Sequence, residues 1–509
     1  MNQENIRVRF APSPTGGLHL GGVRTALFNY LFARHNGGKF ILRIEDTDRS
    51  RYVEGAEQYI FDCLKWCGIE PDESVLHGGE YGPYRQSDRK EIYLKYALEL
   101  IDKGYAYYAF DTPEELAAMR ERFTTKENPS PKYDQQLRGQ MRNSLTLPAD
   151  ETAKLLAENT PYVIRLKVPE NEVLHFSDII RGDIEHNTST VDDKVLLKND
   201  GMPTYHLAAV VDDYLMKISH VFRGEEWLPS LPFHVLLWRY LGWEKDMPKW
   251  VHLPLILKPS GKGKLSKRDG EQAGFPVFAM DWKDPQTGEI TNGFKERGFL
   301  PEAFINMLAM LGWSAGTEQE IFSLEELVAA FSLEKVHKGG ARFDFEKAKW
   351  YNQQHLLKTD DQTLAQLAKP WFEKEGIVAD EVTLAKGIGM IKERCQLLPD
   401  LVTQSAFLFK HPGEIDLDAI KKKWDNQVYQ FFEEWLGQLN SVNESDPASW
   451  EHSVHDLIGI KGLKGGAVML PLRVMLVGGK FGPGVFDIAS FIGKEAVAYR
   501  VQRTLEALK

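Results

Sequence analysis

The sequence predicts an α/β protein: a doubly wound parallel sheet, interrupted by an α+β insertion and followed by an all-α C-terminal region. Three observations carry that expectation. Alternating apolar stretches and amphipathic stretches follow one another through the first hundred residues, the order of a parallel sheet wound with helices. From Tyr105 to about residue 190 that order lapses, and it then returns. Beyond about Gly270 the apolar spacing is mostly three-to-four, and the last 150 residues or so read as a helical bundle.

The elements follow in order. Ile6 to Phe10 is a strand, with Ile6, Val8 and Phe10 alternating against Arg7 and Arg9. Pro12, Pro14, Gly16 and Gly17 break it, and a helix is expected from about Val23 to the Gly37-Gly38 stop. Lys39 to Asp48 is a second strand, ending in Glu45, Asp46 and Asp48; helices follow at about Val53 to Cys67 and Ser87 to Lys103. Within the insertion, Tyr105 to Phe110 and Val163 to Val168 read as strands, and Thr112-Pro-Glu-Glu115 as a helix N-cap with its proline and glutamate in place. The sheet pattern is expected to resume at Asp193 to Lys198, Tyr205 to Asp213 and Val221 to Glu226. A helix from about Pro229 to Leu241 and an apolar strand from Leu253 to Leu257 come next. Pro301 to Leu311 and Leu324 to Phe331 have helical spacing.

At 509 residues the chain exceeds one hydrophobic core, and two to four domains are expected. Its 43% apolar and 27% charged residues are those of an ordinary globular protein. The polar start, Met1 to Arg7, has no signal-peptide core, and no apolar run is long enough to span a bilayer. Cys63, Cys67 and Cys395 cannot build a disulfide framework, so a reducing cytoplasm is expected. Cys63 and Cys67 lie one helical turn apart and read as core; zinc would need two more ligands nearby. The net charge of −11, from 62 Lys and Arg against 73 Asp and Glu, argues against coating nucleic acid by bulk charge. A local basic surface for a structured RNA stays open.

Two stretches bear on chemistry. His19-Leu-Gly-Gly22 lies where a Gly-bearing strand-to-helix turn would bring backbone N–H groups to a phosphate. Lys258-Pro-Ser-Gly-Lys-Gly-Lys-Leu-Ser-Lys-Arg268 is a strongly basic loop. Taken apart, the first is more often just a tight turn and the second usually a solvated surface loop. Taken together, they resemble the two signatures of class I aminoacyl-tRNA synthetases, whose nucleotide-binding domain is of the Rossmann type. The first departs in its fourth residue, Gly22, where histidine is commonest. Phe10-Ala-Pro-Ser-Pro-Thr-Gly16, Arg43-Ile-Glu-Asp-Thr-Asp48, Tyr84-Arg-Gln-Ser87, Asp200-Gly-Met-Pro-Thr-Tyr-His206 and Val221-Phe-Arg-Gly-Glu-Glu-Trp227 resemble the bacterial glutamyl-tRNA synthetase family. The C-terminal half matches it more loosely, in blocks such as Gly340-Ala-Arg-Phe-Asp344.

The resemblance implies ATP-dependent ligation of L-glutamate to the 3′ end of tRNA(Glu) through a glutamyl-adenylate. It places His19, Lys264 and Lys267 as catalytic residues and His19, Gly21, Gly22, Lys264, Ser266 and Lys267 around ATP. Arg9, Ser13, Glu45, Tyr205 and Arg223 fall in the family's glutamate pocket, Glu45 facing the ammonium and the arginines a carboxylate. Arg43 reads instead as pairing with Asp46 or Asp48. Mg²⁺ is implied by the ATP chemistry, with no carboxylate cage assignable. Many relatives hold a zinc in the insertion; here Ala109-Phe-Asp111 and Leu137-Arg-Gly139 lack the thiols, so no zinc is expected. Arg394 is the candidate anticodon contact, with a solvated helix arginine as its alternative. The implied division is 1–104 and 191–256 for the catalytic domain, 105–190 for an insertion holding the tRNA acceptor end, 257–352 for a stem-contact region with the lysine loop, and 353–509 for a helical anticodon-binding domain. A cytoplasmic monomer is the family expectation. The rival readings are a glutaminyl-tRNA synthetase and a small-molecule adenylating enzyme on the same fold.

Overall fold

The computed structural model describes residues 5–508. Its strands, in chain order, are β1 (Arg7–Phe10), β2 (Lys39–Leu42), β3 (Ala106–Ala109), β4 (Val163–Leu166), β5 (Val173–Asp178), β6 (Gly182–Asn187), β7 (Val195–Leu197), β8 (His220–Gly224) and β9 (Lys249–Leu253), with four two-residue strands beyond them. The helices that bear on the site are α1 (Leu20–His35), α2 (Ala56–Trp66), α3 (Lys90–Asp102), α4 (Pro113–Phe123), α5 (Ala149–Ala157), α6 (Tyr205–Leu215), α7 (Leu231–Tyr240) and α8 (Lys267–Ala273).

The main sheet has six strands in the order β2-β1-β8-β9-β5-β6. All neighbours run parallel except the β5–β6 hairpin at one edge. The sheet is therefore mixed, as a parallel core with an antiparallel edge strand. Side chains alternate between its faces: Phe40 and Phe222 meet Tyr30 and Phe32 of α1, while Ile41 and Val221 join the core built with α3, α6 and α7. Helices on both faces make it doubly wound. Strand order reverses between β1 and β8, because β2 is laid on one side of β1 and the later strands on the other. Ligands of open α/β sheets bind at the strand ends beside such a reversal.

Several expectations need correction. Tyr205 to Asp213 is not a strand but helix α6, buried along Leu207, Ala208, Ala209, Val210 and Val211. A helix buried nearly all round has no polar stripe, so its pattern imitates a buried strand. β7 pairs with β4 in a separate three-stranded sheet with β3, so Asp193 to Lys198 does not resume the main sheet. The main-sheet strand is Lys249–Leu253, ended by Pro254, and Ile256–Leu257 pairs instead with Ala341–Arg342. Helix α1 begins at Leu20, earlier than Val23, because His19 caps it. The capping box at Thr112 is present: the Glu115 amide donates to the Thr112 hydroxyl at 3.2 Å and the Thr112 amide to the Glu115 carboxylate at 2.7 Å.

The chain divides into two compact units, residues 1–296 with 304–345, and residues 297–303 with 346–509. In the second unit, helices pack around a core that includes Phe431, Phe432, Trp435, Trp450 and Leu472. Its last helical run, Val485–Ala507, is kinked at Gly493, which sits at φ +83°. Among the described residues no helix is long and apolar enough to cross a membrane.

Candidate active site

A cavity of about 910 Å³ opens at the C-terminal ends of β1 and β8, at the reversal of strand order. Arg9, Ser13, Glu45, Tyr205 and Arg223 line one part of it. His19, Gly21, Gly22, Lys264 and Ser266 line another. Ten of the residues singled out from sequence thus meet in one place, although they are drawn from positions 9 to 266.

His19 is the N-cap of α1, and its Nδ1 accepts the Gly21 amide proton at 3.1 Å. An accepting Nδ1 leaves the ring proton on Nε2. That Nε2 is buried with no partner among the described residues. Burial, and then the nearby Lys264 charge, push the imidazole down to about 4, so near neutral pH it is an uncharged donor with a free N–H. Gly22 serves the same corner by its missing side chain: a Cβ there would sit 2.8 Å from Leu18 Cδ1. Lys264 is held by Glu226 in an exposed ion pair of 2.5 Å. Ser266 caps α8 and spends both its amide and its hydroxyl on Asp269, which also pairs with Lys258 at 2.8 Å. Lys267 is not among the cavity's lining residues; it starts α8 and lies 3.5 Å from Glu271.

Beneath Arg9 and Glu45 on the cavity wall lies a dense buried charge network. Arg9 forks onto Asp213, with Nε–Oδ1 at 2.9 Å and Nη2–Oδ2 at 3.2 Å. Arg43 does not pair with Asp46 or Asp48. It is fully buried and reaches Glu45 at 2.9 Å and Asp213 at 2.8 Å, with Asp212 at 3.7 Å. Asp46 instead accepts from Ser87, and Asp48 from Ser50. Asp212 further accepts from Arg89, Gln86 and the Tyr93 hydroxyl. Arg9, Arg43 and Arg89 are thus matched by Asp212, Asp213 and Glu45, charge for charge. Burial works against the Asp213 carboxylate, but Arg9 and Arg43 more than offset it and hold it below the usual range.

Arg223 differs. It is buried, at 6% exposure, and its neighbours are neutral acceptors. Its Nε donates to His252 Nε2 at 2.9 Å and its Nη1 to the Tyr205 hydroxyl at 3.0 Å, with His234 Nδ1 at 3.4 Å and the Trp250 ring beneath. No carboxylate among the described residues lies within ion-pair distance of it, and its Nη2 is buried without a partner. A buried cation with a free edge is unfavourable unless an anion arrives. A carboxylate is the anion whose geometry matches such a fork.

Sequence reading missed Asp212, Asp213, His252 and Asp178. The two aspartates were hidden by the strand assignment of α6; on a helix, both turn inward toward α3 and β1. For the buried histidine and its aspartate no local signal exists, since both lie in short strands 74 positions apart. Arg394 lies in the second unit, exposed, close enough that its charge adds to burial in lowering Arg473.

Helix start, basic loop and strand ends converge on one cleft, the arrangement of an α/β domain that activates a carboxylate with a nucleotide. Comparison with known proteins gives the family. The catalytic-domain model of the class I tRNA synthetases (E and Q) matches residues 5–350, and an anticodon-binding-domain model matches residues 363–505. The chain belongs to the class I tRNA synthetases of this E and Q family. It is 50% identical over 509 residues, all of both chains, to a glutamate–tRNA ligase of Porphyromonas gingivalis. It is 51% identical over 504 residues, 99% of each, to one of Christiangramia forsetii. A glutamate tRNA ligase of Elizabethkingia meningosepticum, solved in complex with its amino acid, superposes with a TM-score of 0.95 at 50% identity, covering 99% of this chain and all of that one.

Proposed function

We infer that this chain is a glutamate–tRNA ligase, joining L-glutamate to the 3′ end of tRNA(Glu) in two steps. The glutamate α-carboxylate attacks the α-phosphate of ATP, giving glutamyl-adenylate and pyrophosphate. A hydroxyl of the tRNA's terminal ribose then takes the acyl group and AMP leaves. The observation that carries the reading is a single cavity with a neutral His19 donor and Lys264 in one part and the unpaired Arg223 in another.

In this reading His19 Nε2–H donates to the phosphates as charge builds on them, with Gly21 and Gly22 bringing the helix start close. Lys264 leaves Glu226 for the β- and γ-phosphates. Lys267 and Ser266 join when the loop around residues 258–268 closes over the nucleotide. Arg223, with Tyr205, takes the side-chain carboxylate; Arg9 and Ser13 add hydrogen bonds; Glu45 accepts from the ammonium. Neither step calls for a nucleophilic side chain: positioning and electrostatics do the work.

Mg²⁺ would come with the phosphates. Among the described residues no group of three or more His, Cys, Asp or Glu side chains is placed to hold an ion. The reading includes no zinc in the insertion. Asp111, at one expected ligand position, already accepts from the Arg142 amide at 2.7 Å and the Tyr133 hydroxyl at 2.9 Å. We further propose that the insertion, 105–190 without the β5–β6 hairpin that belongs to the main sheet, holds the acceptor end, that 257–352 contacts the stem, and that 353–509, with Arg394, reads the anticodon. We place the protein in the cytoplasm as a monomer.

The test is acylation of a tRNA(Glu) transcript with labelled amino acids. The reading expects glutamate to be attached in an ATP-dependent manner and glutamine to be refused. Pyrophosphate exchange with glutamine alone, in the presence of tRNA, would overturn it in favour of the glutamine-specific rival. Glutamate activation indifferent to RNA would favour a small-molecule adenylating enzyme.

A further inference from the structure

Behind Arg223 lies a row of buried side chains that the reaction itself does not use. β8, β9 and β5 are consecutive in the sheet, and register places Arg223 directly opposite His252. Asp178 closes β5, opposite Trp250. Across these strands Arg223 Nε donates to His252 Nε2 at 2.9 Å, and His252 Nδ1 meets Asp178 Oδ2 at 2.7 Å. His252 and the Asp178 carboxylate are fully inaccessible to solvent.

The proton positions follow from valence. A guanidinium N–H can only donate, so His252 Nε2 must carry its lone pair toward Arg223. The ring proton is therefore on Nδ1, where the Asp178 carboxylate accepts it. Asp178 is itself saturated: Oδ2 also accepts the His252 amide at 3.0 Å, and Oδ1 accepts the amides of Ile180 and Arg181 at 2.9 and 2.8 Å. Burial, opposed by Asp178, keeps the ring below its ordinary value, which agrees with a neutral imidazole.

We propose that Asp178 and His252 are positioning residues for glutamate selection, a relay across three strands that fixes one imidazole tautomer and so aims the free edge of Arg223 into the cavity. The relay anchors Arg223 by a neutral acceptor rather than a carboxylate. It therefore orients the guanidinium without cancelling the charge that distinguishes a carboxylate from a carboxamide. An acidic residue in place of His252 would hold Arg223 equally well and abolish that preference. This proposal rests on the reading that Arg223 receives the side-chain carboxylate.

The test is a set of variants in ATP–pyrophosphate exchange with tRNA present, reading KM for glutamate, KM for ATP and the melting temperature of each. Asp178→Asn presents an amide where two N–H donors now point, so the ring must release its Nδ1 proton to Nε2, which then opposes Arg223 donor to donor. His252→Asn keeps a donor for Asp178 but has nothing at the Nε2 place. His252→Gln can put its carbonyl there, and guards against a failure of Asp178→Asn to fold. The relay predicts that Asp178→Asn and His252→Asn raise the glutamate KM about 10- to 100-fold with the ATP KM unchanged. It predicts that His252→Gln recovers most of that loss. Wild-type glutamate KM in all three overturns the proposal, as does a parallel rise in both KM values or equal damage in the Gln and Asn variants. Arg223→Gln separates the two levels: if it loses glutamate selectivity while the relay variants do not, only the relay falls. If Arg223→Gln keeps wild-type selectivity, the reading of Arg223 falls and the relay with it.

Discussion

Arg9 and Arg223 stand on neighbouring strands, line the same cavity and are equally buried, yet their surroundings are opposite. Arg9 belongs to a neutral network, forked onto Asp213, which Arg43 shares from its other side. Arg223 touches two imidazoles, a phenol and an indole ring, and has no carboxylate partner among the described residues. The first arginine is part of the architecture and offers its remaining N–H bonds without demanding a charge. In the proposed function the second carries a charge that the protein leaves for a ligand. Residue type and cavity lining are the same in the two cases; the counter-ion distinguishes them.

The largest expected effect lies on the balanced side. Asp213→Asn leaves Arg9 and Arg43 short of one carboxylate in a buried site, and should cost about 3–5 kcal/mol of stability, read by denaturant titration. A loss below about 1 kcal/mol would show that solvent or relaxation already screens the network, and the contrast with Arg223 would blur. Next comes His19→Ala, which removes one aimed donor. It should lower kcat on the order of 10²- to 10³-fold while the glutamate KM holds, since the loss falls at the phosphates and not at Arg223.

His19 also sharpens the contrast through pH. Its ring is pushed down to about 4 in the folded protein, against 6.5 for an ordinary histidine. The unfolded chain therefore takes up the proton first as pH falls. The stabilisation from burying His19 neutral is complete above 6.5, and is lost as pH falls through 4. Melting temperatures of the wild type should drop across that window, and those of His19→Asn should drop less. The smallest effect concerns the paired cation at the rim. Glu226→Gln frees Lys264 from an exposed ion pair, and should tighten the KM for ATP by about two- to fivefold at low salt.

Much of this was legible in the residues themselves. β1, β2 and β8 are short alternating or apolar runs bounded by turns, so local pattern finds them. The Thr112 cap is a local signal too. The β5–β6 hairpin was not legible as part of the main sheet: its neighbour, β9, begins 62 residues after Gly182–Asn187 ends, and its side chains are as much polar as apolar. At the site, the histidine corner and the lysine loop were legible only as a pair, through the resemblance they carry together. The state of each arginine was not. Whether Arg9 or Arg43 is already neutralised depends on Asp212 and Asp213, which reach these arginines only because α6 packs beside α3 and turns both carboxylates inward. Arg43 shows the limit: the nearest acidic residues in sequence were Asp46 and Asp48, and its real partners include Asp213, 170 positions away.

The most direct measurement is glutamate against glutamine in pyrophosphate exchange by Arg223→Gln, with its melting temperature taken alongside. If Arg223 is a charge held in reserve for substrate, kcat/KM for glutamate falls on the order of 10²- to 10³-fold, preference over glutamine collapses, and the protein melts no lower than wild type. A variant that melts early while still choosing glutamate would contradict the account, and would make Arg223 one more structural cation like Arg9.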